Sequence, residues 1–247
     1  MPKDFSLQFC SRSHTGKVKR NNEDYLRIHQ NGFLAAIADG MGGTDFGEVA
    51  SQIAVDASIE YLANTTSTKL LEKPAGELGN AVKYANEAII AIQRNEEKYR
   101  TMGSTLTCFL MINNQLHFSW VGDSRIYIVR PENTSIQMLT KDHTLDRNKI
   151  DATLAPELYR RAPSILTQKV GSILLIQPDT GCFELKAGDI IVACTDGLSD
   201  RIDDQLLLEY GLKFAGNLEG YADKLLDRAL DCGGQDNISL ILAQVMS

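Results

Sequence analysis

The stretch Leu106–Asp123, LTCFLMINNQLHFSWVGD, decides how the rest of the chain is read. Two apolar runs, Leu106–Ile112 and Leu116–Val121, flank Asn113-Asn114, and asparagine suits the tight turn of a hairpin. Strands joined in this way are antiparallel. Working outward, Tyr25–His29, Phe33–Ala38, Ile126–Val129, Ile190–Cys194 and Ile238–Val245 are further runs of strand length, rich in β-branched or aromatic residues. Two segments have helical spacing instead. Phe46, Val49, Ala50, Ile53, Ala57 and Tyr61 form one apolar stripe, and Val82, Ala85, Ile89 and Ile92 form another. A third helix is predicted over Tyr221–Leu230. The strands come in groups rather than alternating with helices. This predicts an α+β chain of antiparallel sheets with helices packed outside, not a parallel doubly wound sheet. Residues 144–168 have weak periodicity and many charges, as expected of an insertion or flap.

The bulk properties narrow the function. The chain has 247 residues, 43% of them hydrophobic and 23% charged, with no internal repeat, which suits a globular unit with a substantial core. A net charge of −7 argues against general binding to nucleic acid or anionic membrane. The five cysteines, Cys10, Cys108, Cys182, Cys194 and Cys232, form no CxxC pair, so neither a disulfide framework nor a zinc cluster is predicted. The N-terminal MPKDFSLQFC has no signal-peptide core and no apolar run approaches the length of about 20 residues that spans a membrane. A cytoplasmic protein is expected.

The chemistry lies where acidic residues meet strand ends. Asp39 follows the Phe33–Ala38 run, Asp123 follows Leu116–Gly122 and Asp196 follows Ile190–Thr195. Glu23 and Asp24 precede the Tyr25 strand, and Asp236 precedes the Ile238 strand. In an antiparallel sheet the start of one strand lies beside the end of its neighbour, so these acids are expected along one edge. A single aspartate at a strand end is most often a turn or cap residue; the repetition is what points to a site. Crowded carboxylates repel one another unless cations neutralise them. An all-oxygen site favours hard ions such as Mg²⁺ or Mn²⁺. Ala38-Asp39-Gly40-Met41-Gly42-Gly43 reads as a glycine-rich turn in which the Gly40 carbonyl is a further candidate ligand. It lacks the Lys and Ser/Thr of a nucleotide P-loop.

Taken in order, these segments resemble the metal-dependent protein phosphatases of type 2C over nearly the whole chain. The resemblance is carried by Gly16–Asp24, Asp39–Gly43 continuing to Gly47–Ser51, Gly103–Leu106, Val121–Arg125, Leu139–His143, Thr195–Leu198 and Asp236–Ser239. It implies a four-layer α-β-β-α sandwich, two antiparallel sheets flanked by helices, as a single catalytic domain over residues 1–247 with a flap at about 144–168. It implies two divalent cations, Mn²⁺ or Mg²⁺. Asp39 would bridge them, Asp196 and Asp236 would complete one site, and the Gly40 carbonyl with Glu23 or Asp24 would serve the other. Asp123 matches a residue that helps hold a third, looser ion in bacterial relatives. Leu166–Gly171 matches the segment that closes the flap.

The reaction implied is hydrolysis of phosphoserine or phosphothreonine in phosphoproteins by a hydroxide bridging the two metals. Asp39, Asp196 and Asp236 are the catalytic candidates. Two positions depart from the family pattern. The phosphate-contacting Arg of the family is here Lys19, with Arg20 beside it as the other candidate phosphate binder. A lysine brings charge without the two-pronged guanidinium grip, and neighbouring residues of an extended chain face opposite sides. Met41 stands where many eukaryotic members carry a histidine, which leaves protonation of the leaving group to metal-bound water or another group. His143 is expected to play a structural hydrogen-bonding role, Ser124 and Arg125 to stabilise a turn, and Trp120 to lie in the core. A non-catalytic phosphatase-like module that binds phosphoproteins, suggested by Lys19, is the alternative. A hydrolase of other phosphoesters is a third reading.

Overall fold

The Asn113-Asn114 turn forms as expected, with both residues at positive φ (49° and 61°) as a two-residue hairpin requires. The computed structural model describes residues 5–41, 46–173 and 175–247. In chain order the elements are β1 (Ser6–His14), β2 (Asp24–Ile28), β3 (Leu34–Met41), α1 (Gly47–Asn64), α2 (Ser67–Glu72), α3 (Pro74–Asn95), β4 (Gly103–Ser104), β5 (Leu106–Ile112), β6 (Gln115–Val121), β7 (Arg125–Arg130) and β8 (Ser135–Met138). They continue with α4 (Pro156–Arg161), β9 (Asp179–Glu184), β10 (Ile190–Cys194), α5 (Asp196–Ser199), α6 (Asp204–Lys213), α7 (Leu218–Asp231) and β11 (Ile238–Met246).

The strands form two antiparallel sheets. One has the order β1-β11-β10-β7-β8 and the other β2-β3-β5-β6-β9, with β4 paired to β3. Alternation along each strand sorts the side chains into layers. On β3, Ala35 and Ile37 face the other sheet and meet Ile191, Ala193, Ile241 and Ala243. Leu34, Ala36 and Ala38 face outward onto α1 and α3. The outer face of the first sheet packs Val192, Leu240 and Leu242 under α6 and α7, through Leu207, Tyr221 and Leu225. The result is the four-layer α-β-β-α sandwich.

Four strands were not expected from the sequence, among them the two-residue β4, which forms only by pairing with the end of β3. β1 and β9 carry mixed polar and apolar residues and gain their pairing from distant partners, β11 and β6. β8 is a four-residue edge strand on β7. Among the helices α2, α4, α5 and α6 were likewise not expected; α6 has a side-chain cap, with Asp203 accepting from the Leu206 N–H. Residues 144–168 contain α4 between short 3₁₀ turns, and the segment is pinched at its base by an antiparallel bridge between Thr144 and Leu166. Among the described residues no helix is long and apolar enough to cross a membrane.

Candidate metal centre

β3 runs past Ala38 to Met41, so Asp39 and Gly40 are strand residues rather than a turn. The reason is a second partner: Gly40 and Met41 pair with Ser104 and Gly103 of β4. Gly42 and Gly43 lie outside the described residues. Asp39 falls on the same face as Ala35 and Ile37, turned toward the other sheet. Its backbone is locked by the Gly103–Leu106 motif. The Asp39 N–H donates to Thr105 Oγ1 at 2.8 Å, and the Asp39 carbonyl accepts from the Thr105 N–H at 2.9 Å and from the Ser104 hydroxyl at 2.8 Å. Glycine is needed at position 40 for close approach, not for positive φ: a Cβ would overlap the Gly47 carbonyl and come within 2.6 Å of the Glu23 carbonyl.

Two further acids arrive from the first sheet. Asp196 is the first residue of α5, immediately beyond β10, and Asp236 lies two residues before β11. Asn237, buried between them, ties this edge to the loop before β2. Its Oδ1 accepts from the Glu23 N–H at 2.8 Å, and its Nδ2 donates to the carbonyls of Thr15 and Asn21 at 2.9 and 2.8 Å. The sequence marked Asn237 only as part of a motif; its role depends on a loop more than two hundred residues away.

Together these elements enclose a cleft of about 430 Å³ lined by Lys19, Glu23, Asp39, Gly40, Met41, Asp123, Asp196 and Asp236, with Ser164 and Leu166 from the 144–168 segment. Seven of the nine expected site residues therefore meet there. Two do not. Arg20 is exposed and does not line the cleft. Asp24 is turned into the sandwich interior, where its Oδ2 accepts from the Thr195 hydroxyl at 2.9 Å, so that Glu23 is the member of the pair on the cleft wall. Ser164 was not singled out beforehand, and Leu166 only as the start of the flap-closing segment, because only the folding back of the segment brings them to the wall.

The electrostatics are those of carboxylates short of cations. Burial, then the charges of Asp24 and Asp196, holds the Asp39 carboxyl well above the usual carboxylate range. Burial and then Asp236 raise Asp196, and burial raises Glu23 against the opposing charge of Lys19. Burial pushes Asp123 up to about 7, with Asp196 and Asp142 adding to it. One oxygen of Asp196, Oδ1, is buried without a hydrogen-bond partner. The cation within reach is Lys19, whose Nζ lies 2.7 Å from Asp236 Oδ1. Burial disfavours that ammonium, but Asp236, Asp39 and Glu23 outweigh it and hold its pKa above the ordinary value.

The family profile described as Protein phosphatase 2C matches residues 11–232. The chain belongs to this family. It is 35% identical over 242 residues to the serine/threonine protein phosphatase PstP of Mycobacterium tuberculosis, covering 97% of this chain and 45% of that protein. The chain thus spans less than half the length of PstP. It is 31% identical to the protein phosphatase PhpP of Streptococcus pneumoniae, covering 97% of this chain and 98% of PhpP. The PstP catalytic domain, solved in complex with two manganese ions, superposes with a TM-score of 0.83 at 32% identity, covering 99% of this chain and all of that one.

The cleft of this phosphatase 2C chain fits hard divalent ions on its own chemistry. Its donors are all oxygens, Asp196 Oδ1 is unpartnered, and the raised carboxyls are stabilised by positive charge. Among the described residues no three acidic, imidazole or thiol side chains close on one point.

Proposed function

We propose that this chain is a metal-dependent phosphatase that removes phosphate from phosphoserine and phosphothreonine in proteins. The observation that carries the reading is the convergence of Asp39, Asp196 and Asp236 from both sheets on one cleft that also holds a lysine. In it Asp39, Asp196, Asp236, Glu23 and the Gly40 carbonyl would hold two Mn²⁺ or Mg²⁺ ions, with Asp123 available to a third. When bound, such a pair neutralises phosphoryl charge and acidifies coordinated water at a reaction otherwise among the slowest known. Lys19 offers its ammonium to a phosphoryl oxygen as a point charge. Met41 and Leu166 supply apolar wall, and among the described residues no histidine lines the cleft, which leaves protonation of the leaving alkoxide to water or another group.

A covalent phosphocysteine route is disfavoured by the thiols themselves. Burial pushes Cys108 and Cys194 up to about 12 and Cys10 up to about 11, and among the described residues no cysteine lines the cleft. The three intact aspartates favour catalysis over a phosphoprotein-binding module. The same reading takes residues 1–247 as one catalytic unit with 144–168 as its flap, acting in the cytoplasm on substrates of a serine/threonine kinase and not on nucleic acid or membrane. Five free cysteines are consistent with a reducing compartment.

The test is hydrolysis of a phosphothreonine peptide with Mn²⁺, with Mg²⁺ and with EDTA, beside an Asp39→Asn variant. Metal-dependent turnover lost in EDTA and in the variant is expected. A folded wild-type protein that turns over no peptide with either metal overturns the reading.

A further inference from the structure

His143 is absent from the cleft wall, yet its backbone groups and its Nδ1 are tied to elements next to it. The residue is nine-tenths buried. Its N–H donates to the Gly122 carbonyl at 3.0 Å, and its Nδ1 accepts from the Gly122 N–H at 3.1 Å. One residue therefore grips both backbone groups of Gly122, and the next residue along is Asp123. The turn has little freedom to adjust. Gly122 sits at φ 103°, where a Cβ would come within 2.6 Å of the Thr105 side chain, and Ser124 is held at 2.8 Å by the Thr105 hydroxyl.

The opposite side of His143 holds the base of the 144–168 segment. Its carbonyl accepts from the Thr167 N–H at 2.7 Å, Thr144 bridges Leu166, and the Leu145 N–H donates to the Ile165 carbonyl at 2.9 Å. Ser164 and Leu166, which line the cleft, lie within this pinch. The ring itself has a defined tautomer. Because Nδ1 accepts from a backbone N–H, the proton of the neutral ring is on Nε2, which donates to Asp179 Oδ2 at 3.2 Å. The ring stacks on Trp120, the only tryptophan, with centroids 5.9 Å apart and planes 9° from parallel.

From this juxtaposition we infer that His143 is a positioning residue that couples the 144–168 segment to the Asp123 turn, so that ions gathered at Asp123 and the placement of the segment over the cleft influence one another. The inference rests on the phosphatase reading of the cleft. A histidine that merely filled space would add stability without linking the two.

The test compares wild type, His143→Asn, His143→Leu and Asp123→Asn by trypsin cleavage within the segment, at the exposed Arg147, Lys149, Arg160 and Arg161, with and without Mn²⁺. Mn²⁺ affinity is measured on the same proteins by calorimetry. Wild type is expected to be protected at least about fivefold by saturating Mn²⁺, a modest coupling between two sites. His143→Leu keeps bulk but no acceptor, and is expected to lose that protection and to bind Mn²⁺ as weakly as Asp123→Asn. His143→Asn places its Oδ1 where Nδ1 was and is expected to restore both. A His143→Leu protein that keeps wild-type protection, whatever its melting temperature, overturns the inference. If that variant does not fold, Trp120 emission in the wild type decides: it changes on adding Mg²⁺ and does not in Asp123→Asn, and an unchanged wild-type emission is equally adverse. Inactivity of wild type toward phosphopeptides strikes the phosphatase reading alone, since protection and Mn²⁺ affinity are measured without turnover.

Discussion

The Thr195 hydroxyl donates across the sandwich, from the end of one sheet to the Asp24 carboxylate at the start of a strand in the other, at 2.9 Å. This bond sits behind the cleft floor, and Asp24 also stands directly opposite Asp39 in the β2–β3 ladder. One buried carboxyl thus joins the two sheets beneath the candidate metal centre. The Asp24 Oδ1 has no hydrogen-bond partner.

The first prediction concerns pH. Burial lifts Asp24 to about 7, against hydrogen bonds from Ser239 and Thr195 that favour the charged form, and Asp123 also lies at about 7. In the unfolded chain both titrate near 3.9, about the ordinary aspartate value. A folded pKa above the unfolded one means that the native state holds the proton more tightly. The contribution to stability is complete below pH ~4 and is lost as pH rises through ~7. Protein kept in EDTA should therefore melt at a lower temperature at pH 7.5 than at pH 5.5, and saturating Mn²⁺ should flatten that slope. Melting temperatures equal across this window in EDTA would refute the crowded-carboxylate account.

A second prediction concerns the cation of the cleft. Lys19→Arg should raise kcat/KM on a phosphothreonine peptide about fivefold, because a guanidinium makes two charge-assisted hydrogen bonds to phosphate where an ammonium acts as a point charge. Lys19→Met should lower kcat/KM by at least as much. Steady-state kinetics at saturating Mn²⁺ decide it; an Arg variant no better than wild type means that Lys19 does not contact the phosphoryl group.

Gly40→Ala should be costly although the change is one methyl group. The added Cβ meets backbone carbonyls of Gly47 and Glu23, which cannot rotate away as a side chain can. A loss of about 2–3 kcal/mol in urea unfolding is expected, the upper part of the range for overpacking, with loss of metal-dependent turnover. A variant within a few tenths of a kcal/mol of wild type would show that the β3 and α1 backbones are not in close contact.

Asn237→Asp tests the tie between the β11 edge and the Lys19–Glu23 loop. The change keeps the shape but turns the donor facing the Thr15 and Asn21 carbonyls into an acceptor. Leaving those buried acceptors opposed should cost about 2–4 kcal/mol, roughly the penalty for one or two unsatisfied polar groups. Because Lys19 and Glu23 ride on the same loop, KM for the peptide should rise together with the loss of stability. A destabilised variant with unchanged KM would separate the loop from substrate binding.

Much of this architecture was legible in the residues. Leu106–Ile112 and Ile190–Cys194 match their strands end to end because apolar content and length are local properties. The turn chemistry of Asn113-Asn114 is local too. Asp39, Asp123, Asp196 and Asp236 were found by their place beside strands, which an antiparallel sheet converts into neighbourhood. β1, β4, β8 and β9 were not legible, since their stability comes from ladders to partner strands and not from their own composition.

What the chain alone determined is the central strands, the three longest helices, the antiparallel pairing and the identity of the acids at strand ends, all consequences of residue type and short-range spacing. What only the tertiary structure decided is direction and company. The pleat turned Asp24 inward and left Glu23 on the cleft wall, and a second partner for Gly40 and Met41 carried β3 past Asp39. The pinch at Thr144 and Leu166 brought Ser164 to the cleft, and His143 took hold of Gly122 on one side and Thr167 on the other. Each depends on contacts between segments far apart in sequence, where packing and long-range hydrogen bonds choose among conformations that local propensity leaves nearly equal.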